Sequence, residues 1–245
     1  MKITSVSKAA ATERPHLLEA NGLYRTLGDN AAVSDISLSL RSGDVLGLLG
    51  LNGAGKSTTL KMLCGMLVPD KGSVNINGYS MSEQPLKARA QIGFLPDQPP
   101  LYNDMRVNEF LRLCGQIRGL TGSVLGKHLT VTIEQCALGD VQKKLIATLS
   151  KGYRQRVGLA QAIIHKPAVL LLDEPSNGLD PQQLDGMRQL IRRYADGHAV
   201  VFSTHLLAEA QATCNRVAII HNGTLRNETL VDGADLDTLF RRATA

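Results

Sequence analysis

Tryptophan is absent and aromatic residues make up only 4% of the 245-residue sequence, so base-stacking platforms for single-stranded nucleic acid are not expected. Long apolar runs are missing too, and nothing approaches the ~18 consecutive apolar residues that a membrane span needs. The first twenty residues include Lys2, Lys8, Thr12, Glu13, Arg14 and Pro15, which leaves no apolar stretch for a signal peptide; they read as a loosely ordered extension. Cysteines are few and scattered. Cys64, Cys114, Cys136 and Cys214 lie 50, 22 and 78 residues apart, spacings that suit neither a metal-ligand set nor a disulfide framework, so buried thiols in a reducing compartment are expected. Charge of neither sign dominates: 27 Lys and Arg against 22 Asp and Glu leave +5, a balance that a solvated surface explains. With 43% hydrophobic and 20% charged residues the chain is an ordinary folded one, long enough for one large domain or two small ones.

What is present alternates strands with helices. Ile36, Leu38 and Leu40 alternate as on a strand, the turn Arg41-Ser42-Gly43-Asp44 follows, and 45–49 is a continuous apolar run. A helix is expected over 57–67, stopped by Pro69, and a short strand over 73–76, closed by the turn pair Asn77-Gly78. From about 104 to 166 the pattern is helical, with Val107, Phe110, Leu111, Cys114, Ile117 and Leu120 on one apolar face. Apolar strands return at 168–172, 199–202 and 217–220, with a helix over 182–194 between them and another possible helix at 236–242. Continuous apolar strands separated by helices imply an α/β fold whose mainly parallel sheet is covered on both faces.

Two motifs carry chemistry. Gly50-Leu51-Asn52-Gly53-Ala54-Gly55-Lys56-Ser57-Thr58 stands between an apolar strand and a helix. Its glycines let successive amides and the helix N-terminus face a phosphate, Lys56 adds a point charge for the β and γ phosphates, and Ser57 offers a hydroxyl to Mg²⁺. The second motif, 168–175, is an apolar strand ending in Asp173-Glu174-Pro175. A buried parallel strand delivers such carboxylates to the ligand crevice, where Asp173 suits the water shell of Mg²⁺ and Glu174 suits polarisation of an attacking water.

Leu149-Ser150-Lys151-Gly152-Tyr153-Arg154-Gln155-Arg156 resembles the signature of ATP-binding cassette (ABC) ATPases, commonly LSGGQ. Phosphate loop, signature, Asp173-Glu174, Asn177-Gly178-Leu179-Asp180 and Ser203-Thr204-His205 follow the order of that family over about 17–230. The resemblance implies a RecA-like P-loop core with an N-terminal antiparallel β-part and an inserted helical subdomain. It also implies ATP and Mg²⁺ as cofactors and a head-to-tail dimer in which each ATP lies between one subunit's phosphate loop and the other's signature, at Ser150 and Gly152. In family terms Asp180 signals across the dimer, His205 contacts the γ-phosphate and the catalytic water, and Tyr24 stacks on adenine.

Two departures from the family pattern matter. Where the family has Gln after a Pro in the loop joining sheet to insertion, this sequence has Pro96-Asp97-Gln98, and either Asp97 or Gln98 could reach Mg²⁺ or the lytic water. In the signature, Lys151 replaces a glycine and Tyr153 the terminal Gln, as in exporters of drugs, sodium, gliding-motility and copper-assembly systems whose membrane subunits are separate chains. The expected division is an extension at 1–16, a core at 17–96 and 167–230, a helical subdomain at 97–166 and a tail at 231–245. A homodimer, or a pair with a second ABC ATPase, is expected on the cytoplasmic side of the membrane against a permease subunit, without nucleic acid. An importer ATPase, a ribosome- or DNA-directed ABC ATPase and a small-molecule kinase are the alternatives; the kinase leaves 149–156 and His205 unexplained.

Overall fold

Strands that are apolar on both faces set the architecture of the computed structural model, which describes residues 15–28 and 30–244. In chain order come β1 (His16–Leu27), β2 (Asn30–Arg41), β3 (Val45–Leu49), α1 (Lys56–Leu63), β4 (Lys71–Ile76), β5 (Tyr79–Ser80), α2 (Pro85–Ala90) and β6 (Ile92–Leu95). A helical stretch follows with α3 (Val107–Ile117), α4 (Gly122–Gln135), two 3₁₀ turns and α5 (Lys151–Ile163). The chain then runs through β7 (Val169–Asp173), α6 (Pro181–Tyr194), β8 (Ala199–Thr204), α7 (Leu207–Thr213), β9 (Arg216–His221), β10 (Thr224–Leu230) and α8 (Leu236–Thr244).

Six strands form the main sheet in the order β10-β9-β3-β8-β7-β6. All its pairings are parallel except β9 with β10, as the buried apolar runs required. Side chains alternate between two cores: Val45 and Leu49 of β3, Leu170 and Leu172 of β7 and Val200 and Phe202 of β8 face one, while Leu46, Leu48, Leu171 and Val201 face the other. The second core is closed by α1 and by an antiparallel sheet in the order β2-β1-β4-β5. The helical stretch is not a detached lobe, since Phe110 of α3, Ile133 of α4 and Val157 of α5 share the first core with Leu170 and Phe202.

Several expectations change. Residues 16–20 belong to β1, paired with β2 and β4, so the extension stops before His16; its remainder, 1–14, lies outside the described residues. α1 ends at Leu63 instead of 67, because Gly65 turns left-handed at φ 71°, where an added β-carbon would lie 2.6 Å from the Met81 sulfur. Ile117 is 73% exposed despite the apolar pattern. The contact to α4 is made at Gly115, where an added β-carbon would lie 2.5 Å from Leu125 Cδ1, and Ile117 falls about 200° further round the helix. Of the four free thiols three are buried, whereas Cys114 is half-buried.

Candidate functional site

The parallel register brings the carboxyl ends of three strands together. Leu49 of β3 lies opposite Thr204 of β8, and Asp173 of β7 opposite Ser203 of β8. The loop after β3 then turns on Gly53 (φ 80°) and Gly55 (φ 106°) into α1. Glycine is required at Gly55 twice over: an L-side chain is strained there, and a β-carbon would lie 2.6 Å from the Ala32 carbonyl oxygen. Asn52, Gly53, Gly55, Lys56, Ser57 and Thr58 line a cleft of about 310 Å³ together with Glu174, Leu27 and Ala32. Ala54 turns inward and is buried.

Lys56 is 5% exposed. Its ammonium donates to the carbonyl oxygens of Gly50 at 2.8 Å and Leu51 at 3.1 Å and lies 3.8 Å from Glu174 Oε1. Burial lowers its pKa below the usual lysine value, partly offset by Glu174 and Asp173. Ser57 Oγ donates to Asp173 Oδ1 at 3.0 Å. The fully buried Ser203 donates to the same oxygen at 2.6 Å and accepts the Glu174 N–H at 3.0 Å. Glu174 itself has φ 46°, an unusual backbone that a non-glycine residue holds only where its surroundings fix it. Its Oε2 lies 3.1 Å from His205 Nδ1. The turn at His205 is fixed from behind: Thr204 Oγ1 donates to the buried Glu209 carboxylate and accepts the Leu206 N–H at 3.0 Å.

The structure thus brings Ser57, Asp173, Glu174 and His205 into one hydrogen-bonded set through Ser203, and Lys56 joins it by its ion pair with Glu174. The donors fit a magnesium ion held with a phosphate: one hydroxyl and one carboxylate, 3.0 Å apart at the loop, match an ion that keeps most of its waters. Among the described residues no cluster of three or more His, Cys, Asp or Glu forms a preformed metal cage.

Other expected site residues fall elsewhere. Tyr24 is not part of the cleft lining; its ring lies under Lys71 Nζ, 5.5 Å from the centroid, and Leu27, three residues on, takes that place. Asp97 and Gln98 are exposed on the loop after β6 and join neither Ser57 nor Asp173; Asp97 Oδ1 instead accepts from Asn177 Nδ2 at 3.1 Å. Ser150 caps α5, accepting the Tyr153 N–H at 3.4 Å, and Gly152 lies against Gln183; neither lines the cleft. Asp180 caps α6 through the Gln183 N–H at 2.9 Å. Ser203 stood in the Ser203-Thr204-His205 motif without a role of its own, and Leu27 was not singled out in the sequence; its only signal was position, just ahead of Gly28.

A second groove, about 500 Å³, lies between the main sheet and the helical stretch. Met66, Phe94, Pro96 and Pro100 give it apolar walls, and Arg89 and Arg118 give it positive charge.

A phosphate loop at the end of a central parallel strand, facing a strand-end Asp-Glu pair and a histidine, defines a P-loop ATPase. The chain belongs to the ABC transporter family, whose model matches residues 33–177. It is an ATP-binding subunit of that class and an ATPase. It is 33% identical over 210 residues to the linearmycin resistance ATP-binding protein LnrL of Bacillus subtilis (strain 168), covering 85% of this chain and 68% of that one. To the Nod factor export ATP-binding protein I of Ralstonia nicotianae it is 35% identical, covering 84% and 65%. A solved ATP-binding subunit of an ABC transporter superposes with a TM-score of 0.83 at 30% identity, covering 94% of this chain and all of that one.

Proposed function

We propose that the chain is the ATPase of an exporter whose membrane subunits are separate, and that two copies close on two ATP molecules to drive them. Lys56 and the loop amides hold the β and γ phosphates, and Ser57 and Asp173 hold magnesium, which when bound neutralises phosphate charge. Glu174 takes the proton of the attacking water and His205 orients Glu174 and that water. The pairing of Glu174 Oε2 with His205 Nδ1 at 3.1 Å, beside buried Lys56, is the observation that carries this assignment.

Ser150 and Gly152 lie at the N-terminus of α5, a second anion-binding end outside the phosphate-loop cleft. That separation supports completion of each site by the signature of a second copy, with Asp180 beside the shared boundary. Leu27 offers the base an apolar surface, which would hold adenine with little base specificity. We divide the chain into a core at 16–96 and 167–230, a helical subdomain at 97–166 and a tail from 231, and place the membrane subunit in the groove beside Pro96. Among the described residues no helix is long and apolar enough to cross a membrane, in keeping with that division. The relatives' names, linearmycin resistance and Nod factor export, support the export direction. Hydrolysis with and without Glu174→Gln tests the assignment: unchanged turnover in the variant would remove Glu174 from the reaction.

A further inference from the structure

We propose that Asp97 is a positioning residue, which through Asn177 ties the loop leaving β6 to the backbone of Glu174. The inference rests on Glu174 acting as the general base. Asp97 directly follows Pro96, a wall residue of the 500 Å³ groove. Its Oδ1 accepts from Asn177 Nδ2 at 3.1 Å across 80 residues of sequence. Asn177 in turn donates its N–H to the Glu174 carbonyl oxygen at 3.1 Å. The Glu174 backbone is therefore gripped on both sides, its N–H by Ser203 and its carbonyl by Asn177.

That grip matters because Glu174 sits at φ 46°. A residue in that region points its side chain differently from an ordinary strand residue, and relaxing it swings the carboxylate away from His205 and Lys56. The Asn177 side chain has one carboxylate partner, Asp97, and a bond to an ionised acceptor is stronger than a neutral one. Both residues are exposed, so the bond is modest and breakable. A shift of the groove wall at Pro96 reaches Asp97 within one residue, then Asn177, then the carbonyl of the general base. The usual Gln of the family's loop is replaced here by an acid, and this acid is held by an amide instead of lying on the Ser57–Asp173 pair.

The test is ATP hydrolysis by the full-length protein, titrated separately with ATP and with Mg²⁺. The variants are Asp97→Ala, Asn177→Ala, Asn177→Asp and the exchanged pair Asp97→Asn with Asn177→Asp. Loss of either partner is expected to lower kcat about fivefold, with KM for ATP and the Mg²⁺ half-saturation unchanged. Losses in the two alanine variants should not add. Asn177→Asp, which sets two carboxylates face to face, should lower kcat further, and the exchanged pair should recover most of it. A rise of about tenfold or more in Mg²⁺ half-saturation for Asp97→Ala would make Asp97 a metal ligand and overturn the proposal. So would an exchanged pair no faster than Asn177→Asp alone. Glu174→Gln, measured alongside, reports on the general-base role separately: wild-type turnover in that variant would remove the basis on which the pair acts.

Discussion

Ser203 and Asp173 lie directly opposite one another on adjacent parallel strands, and the serine hydroxyl donates to Asp173 Oδ1 at 2.6 Å. That oxygen also receives Ser57, so one carboxylate oxygen joins the phosphate loop to two strands. Ser203→Ala removes the donor to Asp173 and leaves the Glu174 N–H without its acceptor. We expect a loss of about 1–3 kcal/mol in urea unfolding, together with weaker Mg²⁺ dependence of hydrolysis. A variant as stable as the parent would show that water takes the place of the hydroxyl.

Glu174→Gln keeps the size of the side chain and removes the base. Turnover should fall about 10²–10⁴-fold, while ATP still binds. Size-exclusion chromatography in ATP and Mg²⁺ should then show a dimer that persists instead of cycling. A strictly monomeric Glu174→Gln protein at saturating ATP would contradict the two-copy mechanism.

Leu27 and Tyr24 make opposite predictions about the base. Leu27→Ala should raise the KM for ATP several-fold, about 1 kcal/mol of lost apolar contact, whereas Tyr24→Ala should leave it near the parent value. Equal effects of the two would return Tyr24 to the nucleotide.

His165 gives the fold a pH dependence. It closes the link from α5 to β7, and Nε2 donates to the Ile92 carbonyl at 3.1 Å, while Nδ1 is buried without a partner. Burial, chiefly, with Arg118 and His128 adding to it and the Ile92 bond opposing, lowers its pKa to about 4. The folded chain therefore holds His165 neutral while the unfolded chain takes up a proton below about pH 6.5, so stability is full above that value and declines as pH falls towards 4. The expected loss is about 2 kcal/mol, allowing for partial exposure. His165→Gln should flatten that part of the profile, and an unchanged slope would place the titration elsewhere.

The legible parts of the sequence were those whose signal is local. The phosphate loop carries its own glycines, the strand-end acids follow an unbroken apolar run, and the signature is one contiguous segment at 149–156. β1 was hidden because its pairing with β2 shifts register repeatedly, which blurs the alternation. β10 is an edge strand with Arg226, Asn227 and Glu228 in its middle, and only its partner β9 makes it a strand. Ile117 was misplaced because Gly115, silent in any apolar count, makes the close helix contact. At the site, the bond from Asp97 to Asn177 and the placing of Leu27 in the cleft lining depend on three-dimensional register between distant segments, which no spacing rule encodes.

The two carbonyl bonds on Lys56 have a thermodynamic consequence. A lysine free in solution loses about 2 kcal/mol of rotamer freedom when its ammonium is fixed. Here that loss is incurred when the chain folds, since Gly50 and Leu51 already hold the ammonium in place. An arriving phosphate exchanges partners with an ordered cation, so the entropy of restraining this side chain does not weaken nucleotide affinity.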